Sequence, residues 1–232
     1  MPINNMGKPE NCPEVTVLIC TLNEEGNLHH VLPNIPNWVD EILLIDGNST
    51  DNTVGIVQNI NPRIRVLLQP DTGKGNAIRY GIQHARGEII VMLDADGSTD
   101  PSQINDFITP LLNGYEFAKG SRFLGQSPVL SRFRLLGNKL FILMTNILYG
   151  AKYTDLCAGL NAFWIKVIEE IDPQGTSALW EPTINIKLKK HKIKVVEVLQ
   201  RDNGRINGTC EAGPLRQGLR ILRIIIEERF RG

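Results

Sequence analysis

Short apolar runs alternate with polar turns through the first half of the 232-residue chain, and this rhythm constrains the fold more than any other feature. The runs are VTVLIC (15–20), EILLID (41–46), RVLLQ (65–69) and EIIVMLD (88–94). Segments with helical spacing lie between and after them, such as GNAIRYGIQHA and PSQINDFITPLL, the latter with proline at its first helical position. The pattern predicts an α/β fold: a mainly parallel sheet, buried on both faces and flanked by helices.

The pattern changes after residue 123, where a loop containing Gly, Pro and Ser is followed by the helical run RFRLLGNKLFILMTNILYG. A strand-like GLNAFWI, a helix near 176–190, a strand-like IKVVEVLQ and a last helix, PLRQGLRILRIIIEERF, complete the chain. No repeat or long linker divides it, so we expect a single domain over residues 1–232. Its two halves span about 13–123 and about 124–232, and the last helix belongs to the second half.

Charge and cysteine content narrow the class of protein. The 25 Lys and Arg residues equal the 25 Asp and Glu residues, so attraction to nucleic acid or anionic lipid has to be local. The four cysteines are scattered without metal-ligand spacing and predict reduced thiols. The amino terminus contains no apolar signal core, and the most apolar runs are shorter than the roughly 20 residues of a membrane-spanning helix. We therefore expect a cytoplasmic protein that does not cross a bilayer.

Polar clusters follow the four strands: TLNEEGN, DGNSTDNT, DTGKGNA and DADGSTDP. The carboxyl ends of parallel strands lie at one edge of a sheet, so these clusters predict one ligand site. In the fourth cluster, Asp94 and Asp96 have no histidine or thiol beside them and suit Mg²⁺ or Mn²⁺, which takes further oxygens from water and phosphate. The alternative makes both acids solvated turn residues, with Ser98, Thr99 or Asp100 capping the next helix.

The other clusters have similar alternatives. Asn23, Glu24 and Glu25 either cap a helix or contact a ligand, and there is no G-x-G-x-x-G motif to indicate a dinucleotide. The second cluster is either a helix cap at Ser49 or Asp51, or a ligand contact in which Asp46, at the end of a strand, accepts hydrogen bonds from a base or ribose. The third is either a flexible helix start or an anion site, because Lys74 stands between two glycines ahead of a helix and suits an anionic phosphate. Four such clusters at one edge favour a single site over four coincidences.

Together these motifs resemble family 2 of the inverting glycosyltransferases, which have the GT-A fold, and within it the dolichyl-phosphate mannose synthase-like group. The segments that carry the resemblance are VLICTLNEEGNL, IDGNSTDNT, GKGNAIRYGI, VMLDADGSTDP, KGSRF, YTDLCAGLNAFW and RINGTC. The resemblance implies a Rossmann-like sheet with a carboxyl-terminal acceptor-side extension. It also implies a hexosyltransferase that uses Mg²⁺ or Mn²⁺ and a nucleotide-sugar donor.

The resemblance assigns residues to the donor site: Thr21, Leu22, Asn23, Glu24 and Asp46 for the nucleoside, Lys74 and Gly75 beside it, Asp94, Ala95 and Asp96 for metal and diphosphate, and Arg205 in a late loop. Asp94 would face the ribose or the metal. The chain departs from the group's pattern at two places: Asp46-Gly47 replaces a paired aspartate, and Gly208-Thr209-Cys210 replaces a serine-lysine pair. The nucleobase of the donor is therefore left open. A UDP-sugar is preferred, and GDP-mannose is the alternative.

The nature of the acceptor decides whether a base is needed. A polyprenyl or dolichyl phosphate is already anionic and needs cations, for which Arg122, Arg132 and Arg134 are the candidates. A hydroxyl acceptor needs a carboxylate base, and Asp155 and Glu181 are the candidates. Each candidate also has a structural alternative. In this alternative the arginines only cover the surface, Asp155 stabilises a turn, and Glu181 caps a helix.

The two long carboxyl-terminal helices leave two interpretations open. The segment 129–149 mixes arginines with leucines, as an interfacial helix does, and the last helix has a stripe of Leu215, Leu219, Leu222 and Ile226. Either stripe packs in the core or lies on the inner face of the cell membrane. A homodimer is left open. The rival functions are a non-catalytic nucleotide-binding or scaffold subunit and a hydroxyl-acceptor transferase.

Overall fold

The computed structural model describes residues 7–125, 131–171, 179–208 and 213–231, and only the backbone of Arg132 and Pro214. Within these ranges the strands are β1 (Val15–Thr21), β2 (Glu41–Asp46), β3 (Arg65–Leu68), β4 (Ile89–Asp94), β5 (Phe117–Ser121), β6 (Asn161–Trp164) and β7 (Val195–Leu199). They form one sheet in the order β3-β2-β1-β4-β6-β5-β7. The four apolar runs of the first half are therefore confirmed as strands.

Strand pairing makes the sheet mainly parallel. β1 pairs in parallel with β2 and β4, β2 with β3, and β5 with β7. Only β6, among the described strands, runs antiparallel, between β4 and β5. Apolar periodicity does not encode strand direction, which is why the sequence did not predict this reversal.

The helices are α1 (Leu28–Val31), α2 (Thr53–Ile60), α3 (Lys74–His84), α4 (Ile104–Leu112), α5 (Arg132–Tyr149), α6 (Ile165–Ile171), α7 (Trp180–Lys190) and α8 (Pro214–Phe230), with short 3₁₀ turns at Leu32–Asn34 and Pro101–Gln103. The expected helix near 176–190 is observed from residue 180, and residues 172–178 lie outside the described ranges. The predicted proline start falls in the 3₁₀ turn that precedes α4.

Both faces of the sheet are buried, as predicted. Alternate residues of a strand point to opposite faces. Thus Val17 packs in one apolar cluster with Phe107 of α4, whereas Leu18 packs in another with Ile78 of α3 and Trp180 of α7. This three-layer arrangement holds the carboxyl ends of the strands rigidly at one edge.

Helices α5 and α8 pack on α7 and on each other through a small cluster that includes Ile186, Ile221 and Ile225. Their outward faces remain exposed to solvent: Phe133 62%, Leu136 71%, Leu140 53%, Leu143 55%, Ile147 71%, Leu215 69%, Leu219 61% and Ile226 46%. The apolar stripes of these helices are therefore mostly surface and not core. Among the helices of the described ranges, none combines the length and apolar character that crossing a membrane requires.

Candidate active site

The predicted convergence of strand ends is observed. Thr21, Asp46 and Asp94 end three neighbouring strands, with Thr21 opposite Asp46 and Cys20 opposite Asp94 in the sheet register. Their side chains and the loops that follow share one edge of the sheet. This edge is where open α/β sheets bind ligands.

The acidic turn after β1 is hydrogen-bonded to the loop after β2. Asn23 adopts the left-handed conformation (φ 55°), its backbone N–H donates to Ser49 Oγ at 2.9 Å, and its Oδ1 accepts from the backbone N–H of Thr50 at 2.8 Å. The backbone N–H of Glu24 donates to Thr53 Oγ1 at 2.9 Å. Asn23 thus braces two loops, while Leu22 beside it is 43% exposed.

Asp46 is buried and already has partners in the protein. Its Oδ1 accepts from Ser49 Oγ at 2.6 Å and from Thr21 Oγ1 at 3.1 Å, and its Oδ2 accepts from the backbone N–H of Ser49 at 2.8 Å. The carboxylate therefore organises the turn after β2. A contact of Asp46 or Thr21 with a base or ribose stays a prediction.

Lys74 joins two acids that are far apart in the sequence. Its Nζ lies 2.8 Å from Asp94 Oδ1 and 2.6 Å from Glu181 Oε1, at the amino-terminal ends of α3 and α7. Burial opposes its charge, but the charges of Asp94 and Glu181 raise the pKa of Lys74 well above its ordinary value. The ammonium group thus holds Glu181 in an ion pair. Gly75, the next residue, is buried in α3.

Gly159 fixes the position of Asp94, and the sequence analysis missed it. A Cβ at residue 159 would lie 1.6 Å from Asp94 Oδ2, so only glycine leaves room for the carboxylate. Gly159 belongs to the segment YTDLCAGLNAFW. A glycine within the strand-like segment GLNAFWI was the available signal, because a strand glycine often marks a close approach by another group.

Asp96 meets Arg205 of the late loop. Asp96 Oδ1 accepts from the backbone N–H and Oγ of Ser98, and its Oδ2 lies 3.3 Å from Arg205 Nη1. Arg205 Nη2 also donates to Glu24 Oε1 at 2.6 Å. The late loop therefore reaches across to both the first and the fourth strand ends, and Ala95 is buried between the two acids. Residues 209–212 of this loop lie outside the described ranges.

The donor set fits a hard divalent cation. Asp94 and Asp96 line one cavity, where Asp94 lies beside Lys74 and Asp96 beside Arg205. Within the described ranges, no group of three or more His, Cys, Asp or Glu residues is placed to hold a metal. Carboxylate oxygens are ligands that suit Mg²⁺ or Mn²⁺, and water and phosphate oxygens commonly complete the coordination of these ions.

Arg122 and Asp155 form a two-point ion pair. Arg122 Nε lies 2.7 Å from Asp155 Oδ2, and Nη2 lies 3.0 Å from Oδ1. Burial would raise the pKa of Asp155, but the hydrogen bonds and charge of Arg122 hold it below its usual range. Because this carboxylate is fully buried and paired, the geometry favours the turn-bracing interpretation of Asp155 over the catalytic base.

A second buried pair lies behind Asp155 and was also missed from the sequence. Lys119, 1% exposed, contacts the Asp155 carbonyl and lies 3.1 Å from Glu197 Oε1. Glu197 in turn accepts hydrogen bonds from the backbone N–H of Thr154. These contacts join residues between 36 and 78 positions apart in the sequence, so no local pattern indicated them.

One cavity of about 870 Å³ connects the acids to the helical face. Asp94, Asp96 and Arg205 lie at its polar end, Arg122 and Arg134 line its wall, and residues of α5 and α8 line its apolar part: Phe133, Leu136, Leu140, Phe141, Leu215, Leu219, Ile221 and Leu222. Glu181 does not line this cavity. Arg134 is exposed in the first turn of α5, whereas the side chain of Arg132 is not described.

The mainly parallel sheet, with two acids at its carboxyl edge and a cavity beside them, has the architecture that the sequence predicted. The chain belongs to glycosyl transferase family 2, whose sequence model matches residues 16–172.

Several curated proteins are similar to this chain. It is 30% identical over 155 residues to the glycosyltransferase AglJ of Haloferax volcanii, covering 64% of the chain and 50% of the relative. It is 30% identical over 199 residues to a dolichol-phosphate mannosyltransferase of Pyrococcus furiosus, covering 80% of the chain and 55% of the relative. The chain thus spans about half the length of these two relatives.

Solved structures support the same fold. A glucosyl-3-phosphoglycerate synthase of Mycobacterium tuberculosis, in complex with Mg²⁺ and uridine diphosphate, matches with a TM-score of 0.71 and 18% identity, over 94% of this chain and 80% of that one. A structure of the same enzyme with Mn²⁺, uridine diphosphate and phosphoglyceric acid matches with a TM-score of 0.70. The GT-A fold predicted from the sequence is therefore confirmed.

Proposed function

We propose that this chain transfers a hexose, with inversion, from a UDP-sugar to a polyprenyl or dolichyl phosphate. The observation that carries the proposal is the single cavity that runs from Asp94 and Asp96, past Arg122, into an apolar groove between α5 and α8. A polar donor and an acceptor with a charged head and a hydrocarbon chain would meet in such a cavity.

The donor half of the proposal rests on the edge of the sheet. The nucleoside would lie over Thr21, Leu22 and Asn23, with Asp46 beneath them, and the diphosphate would lie beside Asp96 and Arg205. Where a divalent cation is bound by Asp96 and Asp94, it supplies positive charge to the departing diphosphate. Arg205 supplies further positive charge at the same end of the cavity.

The acceptor half rests on the two arginines of the cavity wall. The Nε and Nη2 edge of Arg122 is held by Asp155, so the guanidinium has a fixed orientation at the cavity. Arg134 adds a second cation from the start of α5. Two cations beside an apolar groove suit a phosphate monoester or phosphate-linked chain.

The proposed chemistry needs no protein base. A phosphate oxygen of the acceptor attacks the anomeric carbon from the side opposite the diphosphate, the carbon–oxygen bond to the diphosphate breaks, and the configuration inverts. Because the attacking oxygen is already anionic, the arginines have only to bind and orient it. The buried pairing of Asp155 and the ion pair of Glu181 with Lys74 agree with this scheme.

The choice of donor and acceptor takes support from the relatives. The relative from Pyrococcus furiosus is named for dolichol phosphate and mannose, and the structural neighbour was solved with uridine diphosphate. The first favours a lipid phosphate acceptor and keeps GDP-mannose as the alternative donor. The second favours a uridine donor.

A lipid acceptor implies a peripheral position on the inner face of the cell membrane. The exposed leucines of α5 and α8 border the groove in which the acceptor chain would lie. Amphipathic helices with this composition rest in the headgroup region of a bilayer without crossing it. The acceptor would then enter the groove from the lipid.

Calorimetry tests the donor half. UDP- and GDP-sugars are titrated with Mn²⁺ and with a chelator into wild type, Asp96→Asn and the control Asp100→Asn, whose carboxylate caps the next turn and does not line the cavity. We expect Mn²⁺-dependent binding of a UDP-sugar to wild type and the control, weakened at least about tenfold in Asp96→Asn. Binding of a donor without turnover on any acceptor would instead favour the scaffold subunit, and transfer to an alcohol would favour the hydroxyl-acceptor transferase.

A further inference from the structure

The balanced net charge conceals a strong segregation along the chain. Residues 1–125 contain 8 Lys and Arg and 15 Asp and Glu, whereas residues 126–232 contain 17 Lys and Arg and 10 Asp and Glu. The two halves therefore carry opposite charges of similar size. The basic half is the half that contains α5, α7 and α8.

The densest basic segment is 187–194, which covers the end of α7 and the turn before β7. It contains five lysines and one histidine in eight residues, with no acid. Lys189, His191, Lys192 and Lys194 are exposed. We call this segment, together with the end of α8, the basic anchor.

Lys190 fixes the segment to the end of α8. Its Nζ donates to the backbone carbonyl of Glu228 at 3.1 Å and contacts that of Arg231. Next to these contacts, Phe230 is 84% exposed and Ile226 is 46% exposed. The nearby acids Glu227 and Glu228 are both paired with arginines of α8 or the residue after it. The anchor thus combines exposed lysines with exposed apolar side chains.

We propose that the basic anchor binds anionic lipid headgroups, as a second membrane contact remote from the active site. Clusters of four to eight basic residues beside an amphipathic helix suit such surfaces. The first membrane contact is the one at the cavity, where Leu215 and Leu219 lie in the first half of α8, and for that contact the inference rests on the proposed function. The anchor lies at the other end of α8, about 20 Å away by helical rise. Two contacts along one helix would hold the groove against the lipid.

Charge decides between lipid and a second copy of the chain. A two-fold contact through this face would bring together two surfaces with a net positive charge, which repel each other. An anionic bilayer offers opposite charge and an apolar interior to the same face. Phe230 and Ile226 would gain burial in a bilayer and would gain none on a nucleic-acid backbone.

Vesicle partitioning of matched variants tests the anchor. The anchor variant is Lys189→Gln with Lys194→Gln, and the control is Arg63→Gln with Arg86→Gln. Both remove two exposed positive charges, but the control residues precede β3 and β4, away from β7. Sedimentation is measured with phosphatidylcholine vesicles containing phosphatidylglycerol or none, at low and high salt. Calorimetric donor binding is measured in parallel.

At low salt, each removed lysine should lower the partition coefficient into anionic vesicles about fivefold. The partition coefficient of the anchor variant should therefore fall about 25-fold, and that of the control less than about threefold. Donor binding should be unchanged in both. The proposal is overturned if the anchor variant binds as wild type does, if the control loses as much, or if wild type binds neutral vesicles or polyglutamate as well as anionic vesicles. If wild type binds anionic vesicles but shows no donor binding or no sugar transfer, the proposed function is overturned and the basic anchor is not.

Discussion

Replacing Gly159 with alanine should greatly reduce the rate of sugar transfer without unfolding the protein. The added Cβ would lie 1.6 Å from Asp94 Oδ2 and 2.5 Å from its Cγ, whereas ordinary contacts begin near 3.4 Å. The carboxylate therefore has to move by more than about 1 Å, which breaks its 2.8 Å contact with Lys74. A misplacement of about 1 Å at a reacting centre costs about 100-fold in rate.

The stability cost should be small by comparison. Lys74 is 40% exposed and Asp94 27% exposed, so their ion pair contributes no more than about 1 kcal/mol. The matched control is Gly137→Ala, in α5 on the wall of the same cavity, where an added Cβ would come no nearer than 3.9 Å to Phe141. This control should keep its rate, and helix propensity should stabilise it by up to about 1 kcal/mol.

Initial rates of sugar transfer, paired with thermal unfolding, measure both effects. We expect Gly159→Ala to fold with a melting temperature within a few degrees of wild type and to lose about 100-fold in kcat/KM. A folded Gly159→Ala variant with a rate within about threefold of wild type would refute the reasoning. Asp94 would then not be needed at the position where Gly159 holds it.

Three further predictions concern the ion pairs of the site. Arg122→Lys cannot keep the two-point contact with Asp155, so the KM for a lipid phosphate should rise about tenfold while calorimetric donor affinity stays constant. Burial would raise the pKa of Asp155 but Arg122 lowers it, so the pair should stabilise the fold fully above about pH 4 and lose this effect as the pH falls through the lowered pKa. The difference in melting temperature between wild type and Asp155→Asn should therefore be constant from about pH 5 to 8 and shrink in acid; a constant difference down to about pH 2 would contradict it. Lys74→Met leaves Asp94 and Glu181 without their shared cation and should weaken donor binding about tenfold, with partial recovery when Glu181→Gln is added. Equal affinities in the single and double variants would refute that coupling.

The sequence was sufficient for the parts of the fold that depend on local pattern. Strand ends at Thr21, Asp46 and Asp94 followed from apolar runs and turn residues, and their shared edge followed from parallel topology. The direction of β6 did not follow from the sequence, because the alternation of apolar and polar residues is the same for a parallel and an antiparallel strand. The exposure of Leu136 on α5 did not follow either, because an apolar stripe has the same spacing whether it packs inside or faces outward.

Long-range pairings account for the rest of what the sequence left open. Arg122 and Asp155 were assigned to competing roles, and the fold pairs them across 33 positions. Lys74 and Glu181 are 107 positions apart, and Arg205 and Glu24 are 181 apart. The partners of such side chains are set by tertiary packing. No spacing rule reaches that far.

Sugar transfer to a lipid phosphate is tested most directly by comparing two acceptors that differ only in the phosphate. Wild type is incubated with Mn²⁺, a radiolabelled UDP-sugar, and either a polyprenyl phosphate or the alcohol of the same chain. We expect a labelled lipid product of inverted anomeric configuration from the phosphate and none from the alcohol. Label on the alcohol, a retained configuration, or release of UDP without any lipid product would contradict it.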